Sequence, residues 1–200
     1  MGKILYFKTL NSTQLYAREH YQSFLEDTLI QADLQTNGFG RRGTPWKSIS
    51  ENFHGTFVFK DVTILPIHSG DLAFVVAVSI GKYLEMLTVH NYAFKWPNDI
   101  VTQDDLTGDI KKLGGILIEN MGDSLLIGIG LNINNAPQNI EPYLSISLYD
   151  LCPRAAAAFC PSQLFDRLKA DLKHYQSVGF SYYKENWSQK CVQLKTEKSI

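Results

Sequence analysis

Four short stretches in a fixed order limit what this chain can become: QTNGFGRRGTPW at residues 35–46, KWPND at 95–99, KKLGGILIE at 111–119 and IGIGLNIN at 127–134. Three of them set glycine beside basic or amide side chains, a composition that lets backbone approach a phosphorylated ligand while nearby groups neutralise it. The last two are also strongly apolar and are joined through a short turn at Met121 to Asp123. They read as neighbouring antiparallel strands, and glycines facing one side of such a pair make a floor for a flat or elongated ligand.

The rest of the chain supplies a frame around that sheet. Ile4 to Phe7 reads as a first strand, and Asn11, Ser12 and Thr13 offer caps for a helix from Gln14 carrying Leu15, Tyr21, Phe24 and Leu25. A strand at Leu29 to Leu34 leads into the first glycine loop, and Thr56 to Leu65 reads as another, ended by Pro66. Asp71 to Leu87 is too long an apolar run for a strand and reads as a buried helix. Tyr92 to Trp96, Leu113 to Ile118 and Leu125 to Ile133 read as strands. Pro161 and Ser162 open a helix with Leu164, Phe165, Leu168, Leu172 and Tyr175 at helical spacing, which Gly179 should stop. This irregular order predicts an α+β fold, a mixed β-sheet with helices on one face.

Charge and cysteine usage exclude several classes. Nineteen basic residues against twenty acidic ones leave a formal charge of −1, so no global field draws the chain to nucleic acid or a membrane surface. Phosphate affinity must be local. Cys152, Cys160 and Cys191 are odd in number and form no C-x-x-C pair, which fits reduced thiols in a cytoplasmic protein better than a disulfide framework or a structural zinc site. The amino terminus has Lys3 and Lys8 and no long apolar run, so it reads as neither signal peptide nor spanning helix.

Each motif also has a plain reading. Arg41 and Arg42 among Gly38, Gly40 and Gly43 either clamp phosphate oxygens or sit solvated on a surface loop. Gly38-Phe39-Gly40 resembles the start of an RNA-recognition strand, but Arg41, Arg42, Gly43 and Thr44 follow where that signature requires further apolar and aromatic residues. Asp99 is either a Mg²⁺ ligand or part of a turn after a strand with Trp96 in the core. Lys112 marks the start of an apolar strand, with Gly114 and Gly115 clearing space beside it; Gly128 and Gly130 repeat this, and Asn132 offers paired donor and acceptor groups to a base edge.

Taken together, these motifs resemble the catalytic domain of biotin protein ligases, from about Tyr6 to Trp187. The resemblance implies the fold of class II aminoacyl-tRNA synthetases and a two-step reaction. Biotin and ATP, with Mg²⁺, give biotinyl-5′-AMP; a lysine of a biotin carboxyl carrier protein then attacks the mixed anhydride and AMP leaves. It also implies roles. Ser12, Thr13, Gln35 and the Gly38 backbone would hydrogen-bond the ureido ring, Gly115 and Gly128 would flank the ligand, and Trp46 would lie between the biotin chain and adenine. Asn132 would read adenine, Arg41 and Arg42 would cover the phosphates, Asp99 would face Mg²⁺ and phosphate, and Lys112 would contact the reacting carboxylate and α-phosphate. A cytoplasmic enzyme is implied, with room for a homodimer and no nucleic-acid or membrane partner.

Three features depart from the family pattern, whose loop commonly reads GRGRRGRxW. Phe39 and Thr44 replace two arginines, and Gln14 follows Ser12 and Thr13 where relatives often have Asn. Residues 1–190 are expected to form the catalytic domain, leaving 191–200 as a tail in place of the β-barrel cap of many members. The first strand at the amino terminus leaves no room for the DNA-binding region of some relatives. Lipoate or octanoate transfer in the same superfamily, and a catalytically silent biotin-binding protein, are the other readings.

Overall fold

The computed structural model describes residues 2–60, 69–104, 106–138 and 144–192. Seven strands form one mixed sheet: β1 (Lys3–Leu10), β2 (Thr28–Gln35), β3 (Phe53–Phe59), β4 (Ala93–Lys95), β5 (Asp99–Gln103), β6 (Ile110–Met121) and β7 (Ser124–Leu131). Their spatial order is β1-β2-β3-β7-β6-β5-β4, with only β1 and β2 parallel. The expected α+β class and mixed sheet are present. The turn at Met121 to Asp123 closes the β6–β7 hairpin, Gly122 taking the left-handed φ of 68° that such a turn requires.

Period-two alternation sorts the central strands onto two faces. Leu29, Phe57, Leu125, Ile127, Ile129 and Leu131 face the main core, which α2 (Ser69–Met86) and α5 (Pro161–Gln189) cover. Ile30, Val58 and Leu126 point the other way and pack with Ala17 of α1 (Thr13–His20). The two long helices thus share one face as expected, while α1 packs on the opposite face and borders the open part of the sheet.

Several boundaries move for identifiable reasons. α1 ends at His20, short of Phe24 and Leu25. A tight turn at Tyr21–Ser23 follows, with the Ser23 hydroxyl donating to the His20 carbonyl, so Phe24 reaches the small core from a loop and Leu25 is 98% exposed. β3 begins three residues before the expected strand, and the remainder of that reading, with Pro66, falls partly outside the described residues. KWPND is more than a turn: Asp99 starts β5, which pairs with both β4 and β6.

At Gly179 the backbone does leave helical geometry (φ 71°, ψ −175°), yet the chain re-enters helix as far as Gln189. Tyr183 and Trp187 beyond the break are buried in the main core, which draws the second segment back onto it. Two short helices, α3 (Leu148–Leu151) and α4 (Pro153–Ala158), were not anticipated. Their signals are a reciprocal cap between Ser147 and Asp150 and a proline in the first turn. Of the expected tail, Cys191 bridges to Phe94 at the sheet edge, and 193–200 lie outside the described residues.

The two long helices are tied by a buried carboxylate. Asp171 on α5 is fully buried and accepts from Lys82 Nζ at 3.0 Å, Arg167 Nε at 2.5 Å and the Tyr183 hydroxyl at 3.0 Å. Burial alone would raise its pKa, but the hydrogen bonds from Arg167 and Lys82 outweigh it and hold the carboxyl below its ordinary value. Asp171→Ala should lower unfolding stability by about 3 kcal/mol, the scale for stripping a buried charge cluster of one sign. The ionised carboxylate contributes fully above its unfolded pKa of about 3.9 and progressively less as pH falls through the lower folded value. Urea midpoints measured from pH 7 to 2 should therefore fall in acid, and less steeply in Asp171→Asn.

Candidate active site

The open part of the sheet, on the α1 face, holds a cavity of about 270 Å³. Its floor follows from strand register. Gly128 lies between Thr56 of β3 and Leu117 of β6, and Gly130 lies between His54 and Gly115. Directly opposed residues share a face, so three glycines expose a strip of backbone; Gly128 and Gly130 are ~7 Å apart at ordinary strand rise. A Cβ at Gly130 would meet the Trp46 ring at 2.5 Å, and one at Gly128 would meet Gln14 Oε1 at 2.6 Å. Both side chains lie on bare main chain. Gly114 does not belong to this floor: its Cβ would strike Leu131 and the Gly130 carbonyl on the core side.

One group of lining residues is polar and uncharged. Ser12 caps α1, accepting from the Leu15 N–H at 3.4 Å, and so places the helix start at the cavity. The Thr13 N–H and hydroxyl both donate to Gln35 Oε1, at 2.8 and 3.2 Å, which fixes the Gln35 amide at the end of β2. Its Nε2 side faces Gly38, where a Cβ would come within 2.9 Å. The Thr56 hydroxyl joins Thr13 and Gln14 at 3.0 and 3.1 Å. Gln14 is buried, and its Nε2 makes no hydrogen bond among the described residues.

The second group is charged. Lys112 Nζ lies 2.7 Å from Asp99 Oδ1, pairing the starts of β6 and β5, and 5.7 Å from the Trp46 ring centroid. Gly115 sits beneath them, its hypothetical Cβ 3.6 Å from Lys112 Cε and 3.7 Å from Asp99 Oδ1. Arg41 lines this cavity and an adjoining one of about 250 Å³ that also shares Asn98 and Ile116.

The loop over the floor is a closed hairpin. Phe39 bridges to Pro45, Gly40 N–H donates to the Thr44 carbonyl at 2.8 Å, and Trp46 N–H donates to the Gly38 carbonyl at 2.9 Å. Arg42 and Gly43 turn the tip with φ of 54° and 74°. The two arginines do not converge: Arg42 is exposed and lines neither cavity, whereas Arg41 lines both.

Asn132 also departs from expectation. It is buried, and its amide donates to the Lys112 carbonyl at 3.2 Å and the Ile146 carbonyl at 3.1 Å. It lies outside the lining of both cavities and ties the Lys112 backbone to the segment before α3. The cavity does gather Ser12, Thr13, Gln35, Arg41, Trp46, Asp99, Lys112, Gly115 and Gly128. Sequence reasoning missed Thr56 and His54, whose place beside the glycines appears only once β3 is registered against β7, and it missed Asn98, which lies within KWPND.

His54 orients the Trp46 ring. Trp46 Nε1 can only donate, and it reaches His54 Nδ1 at 3.3 Å; the ring proton therefore sits on Nε2, donating to the Ile49 carbonyl at 3.1 Å. Burial lowers the His54 pKa, against smaller raising effects from the Ile49 carbonyl and Asp33. An unfolded histidine protonates near 6.5, so stability is full above about pH 6.5 and declines below it as the unfolded chain takes up the proton first. Urea midpoints should fall as the pH drops below about 6.5, less so in His54→Asn. Exchange of the Trp46 indole proton, followed by NMR and referred to its intrinsic pH dependence, should accelerate only at lower pH still, once the folded imidazole itself takes up a proton and Nδ1 no longer accepts.

Residues 6–134 match the model of the biotin/lipoate A/B protein ligase family. The chain is 26% identical over 194 residues to the bifunctional ligase/repressor BirA of Escherichia coli, covering 93% of this chain and 58% of that protein. It is 28% identical over 144 residues to the biotin–[acetyl-CoA-carboxylase] ligase of Mycobacterium tuberculosis, covering 70% and 52%. The chain thus spans less than two thirds of these curated relatives. The biotin protein ligase from Aquifex aeolicus, solved in complex with biotin and ATP, superposes with a TM-score of 0.76 at 26% identity, covering 94% of this chain and 78% of that one. A Leishmania major biotin protein ligase shares the fold with a TM-score of 0.78 at 24% identity. The fold is the one related to class II aminoacyl-tRNA synthetases, and the chain belongs to the biotin/lipoate A/B protein ligase family.

Proposed function

We propose that this chain is an ATP-dependent biotin protein ligase, forming biotinyl-5′-AMP and passing the biotinyl group to a lysine of a biotin carboxyl carrier protein. The observation that carries this reading is the order of chemistry along the glycine floor. A neutral hydrogen-bonding group (Ser12, Thr13, Gln35) adjoins Gly128, and the Lys112 ammonium stands above Gly115. A ligand with an uncharged polar ring, an apolar chain and a terminal carboxylate matches that order. The Aquifex relative was solved with biotin and ATP bound.

In the first step a biotin carboxylate oxygen attacks the α-phosphorus of ATP and pyrophosphate leaves. Two anions must meet, so a fixed ammonium at the forming bond lowers the barrier. Lys112 supplies it, held by Asp99 and by the Trp46 face. Arg41 lines the route into the adjoining cavity and offers a forked cation to phosphate oxygens. Trp46 presents a flat apolar face to adenine. Asn132, whose amide hydrogens are engaged, serves the nucleotide by holding Ile146 beside Lys112, and Arg42 joins only if the loop tip turns inward.

Asp99 is the carboxylate that would hold Mg²⁺, which when bound neutralises phosphate charge. One carboxylate suits an ion that keeps water and takes its other ligands from phosphates. Among the described residues no group of three or more His, Cys, Asp or Glu forms a site for a metal ion alone, so the ion would enter with the nucleotide. In the second step the carrier lysine, as free amine, attacks the anhydride carbonyl and AMP leaves.

Incubating the protein with radiolabelled ATP, Mg²⁺ and biotin should yield biotinyl-AMP, and a carrier domain should accept biotin in preference to lipoate. Equal or greater lipoate transfer would move the assignment within the family. Lys112→Ala should slow adenylate formation by roughly 10²-fold or more, the usual cost of losing one charge-stabilising group, and Asp99→Ala should weaken the Mg²⁺ dependence.

The loop should also respond to ligand. Biotin with MgATP should slow trypsin cleavage after Arg41 and Arg42 more than at other basic residues. Equal cleavage with and without bound ligand would remove the loop as a lid.

A further inference from the structure

The hairpin loop is gripped by a side chain from outside it. Phe39, at its neck, is half-buried and lines the cavity. The Arg18 guanidinium carbon stands 5.2 Å from the Phe39 ring centroid, within the range where a cation is drawn to an aromatic face. Arg18 is itself fixed. Its Nε donates to Glu119 Oε2 at 2.6 Å and a terminal nitrogen donates to Oε1, a two-pronged pair joining α1 to β6. Burial raises the Glu119 pKa, but the hydrogen bond and charge of Arg18, with the nearby Gln14 amide, together outweigh it and hold the carboxyl below its ordinary value.

We infer that Arg18, anchored by Glu119 and stacked on Phe39, is a latch that positions the loop over the cavity and retains the adenylate. This role rests on the proposed function. Phe39 stands where the family pattern places arginine. A guanidinium there would face Arg18 at about the same separation and be repelled, whereas an aromatic ring turns the contact into attraction. A loop with two fewer cations to hold phosphate is held by protein instead. Arg18 and Glu119 lie outside the cavity lining, so they are positioning residues acting through Phe39.

Amide exchange at Gly40 and Trp46 reports the latch directly, because these N–H groups close the hairpin. In the full chain, Arg18→Gln and Phe39→Ala should each accelerate their exchange by about two- to fivefold, the scale of one exposed cation–π contact. Glu119→Gln should do so with both latch partners still present, and Phe39→Tyr should match the unaltered protein. The double variant Arg18→Gln/Phe39→Ala should exchange no faster than the faster single.

Release of preformed radiolabelled biotinyl-AMP should rise by a similar factor in Arg18→Gln and Glu119→Gln, while its rate of formation at saturating biotin and ATP stays unchanged. Unchanged exchange, multiplying effects in the double variant, or faster exchange without faster release would each overturn the latch. If the unaltered protein forms no adenylate, the proposed function fails, and the exchange measurements alone decide whether the latch exists.

Discussion

The site depends on three positions where side chains are absent. Gly115, Gly128 and Gly130 bring the β6 and β7 backbones to the cavity surface, and the loop residues and α1 are placed by what then fits on top. Trp46 lies on Gly130 and Gln14 on Gly128 at distances no Cβ could tolerate. Shape is thereby fixed by main chain, which moves least in a seven-stranded sheet whose other face is packed by α2 and α5. The same alternation that sends Ile127, Ile129 and Leu131 into the core delivers Gly128 and Gly130 to the cavity side. Core and site are two faces of one strand pair.

On this neutral floor, charge is rationed. The chain has a formal net charge of −1 and no broad basic surface is required of it. Instead a single ammonium, Lys112, is set against Asp99 at 2.7 Å and above an aromatic ring. An ion pair in a partly enclosed site holds its lysine in one place at the expense of some of its field. On the proposed function, an incoming phosphate or a phosphate-borne cation would compete for the same two groups, and the pair would exchange partners rather than remain a structural bridge.

Much of this was legible because local pattern and tertiary demand coincide. The strands containing the glycines, the two long helices and the Gly122 turn each have a periodicity or turn residue that the fold obeys. What was not legible depends on contacts between distant residues. The return to helix after Gly179 is compelled by Tyr183 and Trp187 finding the core, although glycine correctly breaks the geometry there. β5 was hidden because its few residues follow a turn motif and become a strand only by pairing on both sides. His54 and Thr56 look like ordinary strand residues until β3 is laid beside β7. Asn132 carries the right chemistry for reading a base, but its neighbours use that chemistry first.

The two departures closest to the cavity, Gln14 and Phe39, lie on either side of Glu119. From Gln35, hydrogen bonds run through Thr13 and Thr56 to Gln14 Oε1. The other end of the Gln14 amide lies near enough to Glu119 to help keep that carboxyl below its ordinary value, although it does not reach hydrogen-bond geometry. Glu119 holds Arg18, and Arg18 holds Phe39. A longer amide than asparagine extends the polar network toward the carboxylate that anchors the loop. Losing arginine at position 39 gives the cation anchored there an aromatic face to grip. The residues expected to hold the ring of a ligand and the loop expected to cover its phosphate thus both lead toward Glu119, the first through the nearby Gln14 amide and the second through Arg18.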